Sequence, residues 1–81
     1  MKNSTAKHLQ NLVLDITMSV PNGISHAQLV KAALQTGYRH PDGNLSEDLM
    51  RIVNFLMKKG FIQKNVQTRT IQIATETLAV G

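Results

Sequence analysis

The side chains with most chemistry to offer are three histidines, His8, His26 and His40, two of which neighbour a hydroxyl or a carboxylate in Ser25-His26 and His40-Pro41-Asp42. A metal site needs imidazole, thiolate or carboxylate groups at spacings that converge on one ion, such as an HExxH pair on one helix face. The histidines stand at no such spacing, and the chain has no cysteine. Thiolate sites and disulfides are therefore excluded. Nucleophile–base pairs are built from residues far apart in sequence, so a Ser-His neighbour pair carries little weight. A glycine-rich phosphate loop is also missing. These residues argue against an enzyme, and no metal or organic cofactor is expected. His26 is read as an exposed first-turn residue and His40 as a loop residue.

What remains is charge. Nine Lys and Arg against five Asp and Glu give a net charge of +4. A basic balance favours polyanion partners through long-range attraction, although a small domain also uses such a charge for solubility. With 81 residues the chain is one domain. Its aromatics are only Tyr38, Phe55 and Phe61, so the core must come from Leu, Val, Ile and Met. No apolar run approaches the roughly 18 residues of a membrane helix. The stretch Met1 to Gln10 is too polar for a signal peptide. The expectation is a soluble cytoplasmic protein with no membrane association.

Three helices and a hairpin can be read from periodicity and from stop signals. Leu9, Leu12, Val13, Ile16 and Val20 share one helical face, with Ser4 or Thr5 as cap, which predicts a first helix over Thr5 to Ser19. Pro21-Asn22-Gly23 ends it, and Gly23-Ile24 is extended. Ser25 and Gln28 form a capping box for a second helix, His26 to Thr36, whose buried stripe is Ala27, Val30 and Leu34 with Leu29 and Ala33 beside it. Gly37 suits a left-handed cap. After a loop over Tyr38 to Gly43 with a Pro41-Asp42-Gly43 turn, Asn44 or Ser46 opens a third helix. Glu47 and Asp48 fall in its first turn, where the helix dipole favours carboxylates. Leu49, Ile52, Val53, Leu56 and Met57 form its buried face, and Lys58-Lys59-Gly60 stops it. Phe61 to Lys64 and Arg69 to Ile73 are β-prone, with Ile71 and Ile73 alternating with Thr70, Gln72 and Ala74. The link Asn65 to Thr68 has no Asn-Gly or Asp-Gly pair to fix the register. The core of the domain spans about 5–74, and 75–81 extends the second strand or forms a tail.

The order of these elements, with Gly23 to Leu34 as short strand plus second helix and Asn44 to Ile62 as third helix running into a hairpin, resembles the winged-helix family. Gly37-Tyr38-Arg39 after the second helix and Asn44-Leu45-Ser46 at the third add to the likeness. The segment Gly37 to Gly43 is longer than a simple helix-turn-helix turn. The resemblance implies an α+β fold: a three-helix winged helix-turn-helix with a C-terminal β-hairpin wing. It also implies a double-stranded DNA partner, with the third helix in the major groove and the wing on the backbone. On that reading Arg51 reads guanine and Asn54 reads adenine, while Ser46 and the helix amino end hold a phosphate. Lys58 belongs to the same outer face. Lys64 and Arg69 on the wing, with Arg39 and Lys31, supply backbone contacts.

Glu47 and Asp48 stand against this, because both fall where the helix would enter the groove and carboxylates repel phosphates. The function expected is that of a non-enzymatic small transcriptional regulator or accessory factor, nucleoid-associated if it binds DNA. The alternative is a protein-interaction winged helix that uses the acidic start and the Met50 face of the third helix. A homodimer through the first helix is a further option, limited by the polar Lys7, Gln10, Asn11 and Asp15 on its other side.

Overall fold

A computed structural model describes residues 2–41 and 43–74. The elements are α1 (Asn3–Ser19), α2 (His26–Gln35), α3 (Leu45–Lys58), β1 (Ile62–Asn65) and β2 (Thr70–Ile73). The architecture is α+β, three helices followed by a two-stranded antiparallel hairpin. Asp42 of the expected turn, and the strand extension or tail over 75–81, lie outside the described residues. Among those described, no helix is long and apolar enough to cross a membrane.

The first helix begins at Asn3 rather than Thr5, and neither Ser4 nor Thr5 caps it. Lys2 is the capping residue, and its carbonyl accepts from Ala6 N at 2.9 Å, so both hydroxyl residues already lie within the first turn. Leu9, Val13 and Ile16 are buried as expected, whereas Leu12 and Val20 are only half-buried. Thr17 takes an interior place instead. Burying a hydroxyl costs free energy unless it is bonded, and the Thr17 hydroxyl donates back to Val13 O (2.8 Å) and Leu14 O (3.0 Å).

The link after α1 is pressed against the hairpin. Ile24 exchanges two backbone bonds with Ile71, at 2.9 and 2.8 Å, and so adds a one-residue third strand beside β2. Gly23, at φ 105°, makes this approach feasible, since a Cβ there would lie 2.5 Å from Thr70 Oγ1. The capping box then opens α2 as expected: Ser25 Oγ accepts from Gln28 N at 3.2 Å, and Gln28 Oε1 from Ser25 N at 3.1 Å. The helix stops at Gln35, with Thr36 as cap. Its buried stripe is Leu29 and Ala33, while Ala27 and Leu34 are exposed, which corrects the sequence expectation. Two apolar rows run side by side on this short helix, and contact with α1 and α3 selects one of them.

The third helix is capped by Asn44, whose Oδ1 accepts from Glu47 N at 3.2 Å. Leu49, Ile52, Val53 and Leu56 are buried and Met57 is half-buried. Its end, at Lys58 with Lys59 as cap and Gly60 at positive φ, follows the expected stop. The strands are displaced from the expected Phe61–Lys64 and Arg69–Ile73, because Asn65 folds the loop. Its Oδ1 accepts from Gln67 N (3.0 Å) and Thr68 N (3.3 Å), and Arg69 closes the loop at φ 56°. This asparagine-based turn does the work of an Asn-Gly pair. The register pairs Ile62 with Ile73 and Lys64 with Ile71. Ala74 is buried, rather than facing away from the core, and its N–H donates to Phe61 O at 3.1 Å. α1 lies across α2 and α3, and Ile62 and Ile71 of the hairpin close the remaining side of the core.

Candidate nucleic-acid interface

The amino end of α3 is tied down on both sides. On one side the His26 ring, from the first turn of α2, places Nε2 3.1 Å from Ser46 O and 3.0 Å from Ser46 Oγ. A backbone carbonyl only accepts, so Nε2 carries the hydrogen and donates a forked bond. The Ser46 hydroxyl hydrogen then points elsewhere. His26 is half-buried in this arrangement, not exposed as the sequence suggested. On the other side His40 Nε2 lies 2.6 Å from Asp48 Oδ2, and His40 Nδ1 lies 2.9 Å from the Tyr38 hydroxyl. A carboxylate accepts, so Nε2 donates; with one proton on the ring, Nδ1 is left to accept from the Tyr38 hydroxyl. The His8 ring packs edge-on against Tyr38 with centroids 5.0 Å apart. Burial first, and the Asp48 carboxylate second, push the Tyr38 phenol above its ordinary pKa.

This network relocates one of the two acids that weighed against nucleic-acid binding. Asp48 is 9% exposed: its Oδ2 is bonded inward to His40, while its Oδ1 faces Arg51 at the edge of the hollow that Glu47 also borders. Glu47 remains exposed in the first turn. The partner of Asp48 lies eight positions back across a loop. No helical or strand period links the two, and the only sequence signal was a histidine close to the acids.

The outer face of α3 carries Met50, Arg51, Asn54 and Lys58, all exposed. Arg51, Asn54 and Lys58 follow one another at helical i, i+3, i+7 spacing and so form a single ridge. Arg51 Nη1 lies 3.6 Å from Asp48 Oδ1, and its side chain is 70% exposed, so this pair holds it weakly. It borders a hollow with Glu47 and Asn44, beside Lys2 and Ser4 of α1.

A second depression, about 350 Å³, lies between α3 and the hairpin. Met50, Val53, Asn54 and Met57 form its helix wall; Lys64, Val66, Arg69 and Ile71 form its hairpin wall, and His26 closes one end. Lys64 reaches it because the register sets Lys64 opposite Ile71. Among the described residues no carboxylate lines this groove or pairs with Lys58, Lys64 or Arg69.

The seven residues singled out from sequence therefore divide. Asn54, Lys64 and Arg69 come together at the groove, with Lys58 further along the ridge of Asn54. Ser46 is half-buried against His26, and Arg51 sits at the acidic end. Arg39 stands apart in the loop after α2, exposed, in a hollow with Ser4, Thr5, His8 and Tyr38. Val66 and His26 were missed as groove residues. The hairpin register brings the first there, and the contact of α2 with α3 brings the second. No family model matches the chain, and neither a curated protein nor a solved structure matches it.

Proposed function

We propose that the chain is a winged helix-turn-helix module that binds double-stranded DNA without catalysis, as a small transcriptional regulator or accessory factor acting on the nucleoid in the cytoplasm. The element order supports this: a helix, a single bridging residue at Ile24, two helices, and a hairpin paired back to that residue. In this arrangement α3 enters the major groove and the hairpin follows the phosphate backbone. The observation that carries the reading is the inward turn of Asp48. It leaves Asn54 and Lys58 on an outer ridge that adjoins Lys64 and Arg69, with the acids Glu47 and Asp48 confined to the end of the ridge where Arg51 stands. Affinity comes mainly from the cations, and sequence preference from the α3 side chains.

A second reading, a protein partner docked on the Met50 face, draws support from two apolar side chains left in solvent on opposite walls of the groove, Met50 and Val66. Titration of labelled duplex at several salt concentrations decides between them. With about 3–5 phosphate contacts, log K should fall against log salt with a slope of about −3 to −5. Absence of binding at low salt removes the DNA reading.

A further inference from the structure

We propose that the groove between α3 and the hairpin reads A·T base pairs, Met50 packing on the thymine 5-methyl group and Asn54 pairing with adenine. The inference rests on the DNA-binding reading and names the class of sequence that the site prefers. Met50 is 51% exposed and Val66 76% exposed, so water wets apolar surface on both walls of a groove that no acid among the described residues lines. The thymine methyl is the apolar feature among the base edges of the major groove, and a thioether adapts to such a contact. Asn54 stands one turn beyond Met50, which puts the two Cβ atoms about 5–6 Å apart on the same side of the helix. Its amide offers a donor and an acceptor together, the pattern that adenine N7 and N6 complement.

Guanine is served less well by this surface. Its reader would be Arg51, which lies 3.6 Å from Asp48 Oδ1 and borders the same hollow as Glu47. With Nη1 towards that carboxylate, bidentate pairing with guanine falls to the Nε–Nη2 edge, and it brings Glu47 towards the phosphates. Among the described residues the side chains of Asn54 and Met50 have no hydrogen-bond or charged partner to give up on binding. Lys64 and Arg69, both on the hairpin wall, then meet the backbone beside the base pair being read.

The test compares two duplexes of one A·T-rich sequence, identical except that uracil replaces every thymine and so deletes each methyl group. Fluorescence anisotropy at low salt reads the affinity of the wild type, Met50→Ala and Arg51→Ala, and circular dichroism checks that each is folded. The wild type should bind the thymine duplex about fourfold more tightly, the worth of one buried methyl. Met50→Ala should bind both duplexes alike, while Arg51→Ala should bind both more weakly and keep the ratio. Equal wild-type affinity for the two duplexes, or a ratio that survives in Met50→Ala, overturns the inference and leaves DNA binding standing. If neither duplex binds at low salt, the DNA reading fails and the inference with it, as a groove built for a polypeptide would behave.

Discussion

The two flanks of α3 solve opposite problems. The flank facing α1 and the loop after α2 hides a phenol, an imidazole and a carboxylate, each bonded to the next from Tyr38 through His40 to Asp48. The flank facing the hairpin leaves two apolar side chains and two cations turned outward. Polar groups that satisfy one another internally fix a position but have nothing left to offer a ligand. Groups without an internal partner are the ones available for recognition. The difference thus separates the residues that hold the helix from those that present its surface.

The contrast is broken most severely by Asp48→Ala. The His40 N–H would lose its acceptor while buried, at a cost of about 2–3 kcal/mol of stability by urea denaturation. Duplex affinity of the folded fraction should stay within about twofold, and a collapse of affinity at unchanged stability would reverse the assignment of this flank. Next in size is Lys64→Ala combined with Arg69→Ala. Both side chains are exposed, so stability should change by less than about 0.5 kcal/mol. Affinity should fall equally on all duplexes, and the salt slope should become shallower by about 2. A variant that binds as tightly as the wild type would shift recognition away from the hairpin.

A smaller effect is expected from pH. The folded protein holds the Tyr38 proton more firmly than the unfolded chain does, because burial and then Asp48 disfavour the phenolate. This contribution is fully present below the ordinary tyrosine pKa of about 10 and is lost as pH rises through the higher folded value. As the chain has one tyrosine, ultraviolet titration of the phenolate isolates it. Titration at or below the ordinary value would mean an open network. Smallest of all is Arg51→Ala, an exposed i, i+3 pair worth about 0.5 kcal/mol or less in stability. Chemical denaturation should barely register it, and a larger loss would make Arg51 a member of the holding flank.

Sequence made one class of feature plain and concealed another. The capping box at Ser25 and Gln28 and the stop at Lys58 to Gly60 are written within four or five consecutive positions, and local chemistry sets them, whereas the same signals narrow the cap of α3 only to Asn44 or Ser46. The stripe of α2 was misread, because Leu29–Ala33 and Val30–Leu34 are equally good rows until a neighbour covers one. The Thr17 hydroxyl could be buried because its own helix supplies acceptors, which hydrophobic patterning ignores. At the site, residue types were legible and company was not. Asn54, Lys64 and Arg69 were chosen for their chemistry, but only the hairpin register shows that they border one groove. Asp48 was counted as an outward charge, since nothing in a period relates it to His40.

The single bridge at Ile24 has a mechanical consequence. Ile71 is gripped along both edges of its strand, by Ile24 on one side and by β1 on the other. Little more than the turn carrying Val66 and Arg69 extends past that clamp. A projection so short has slight leverage to swing, so its cations arrive already aimed, and little orientational entropy is left to surrender on contact.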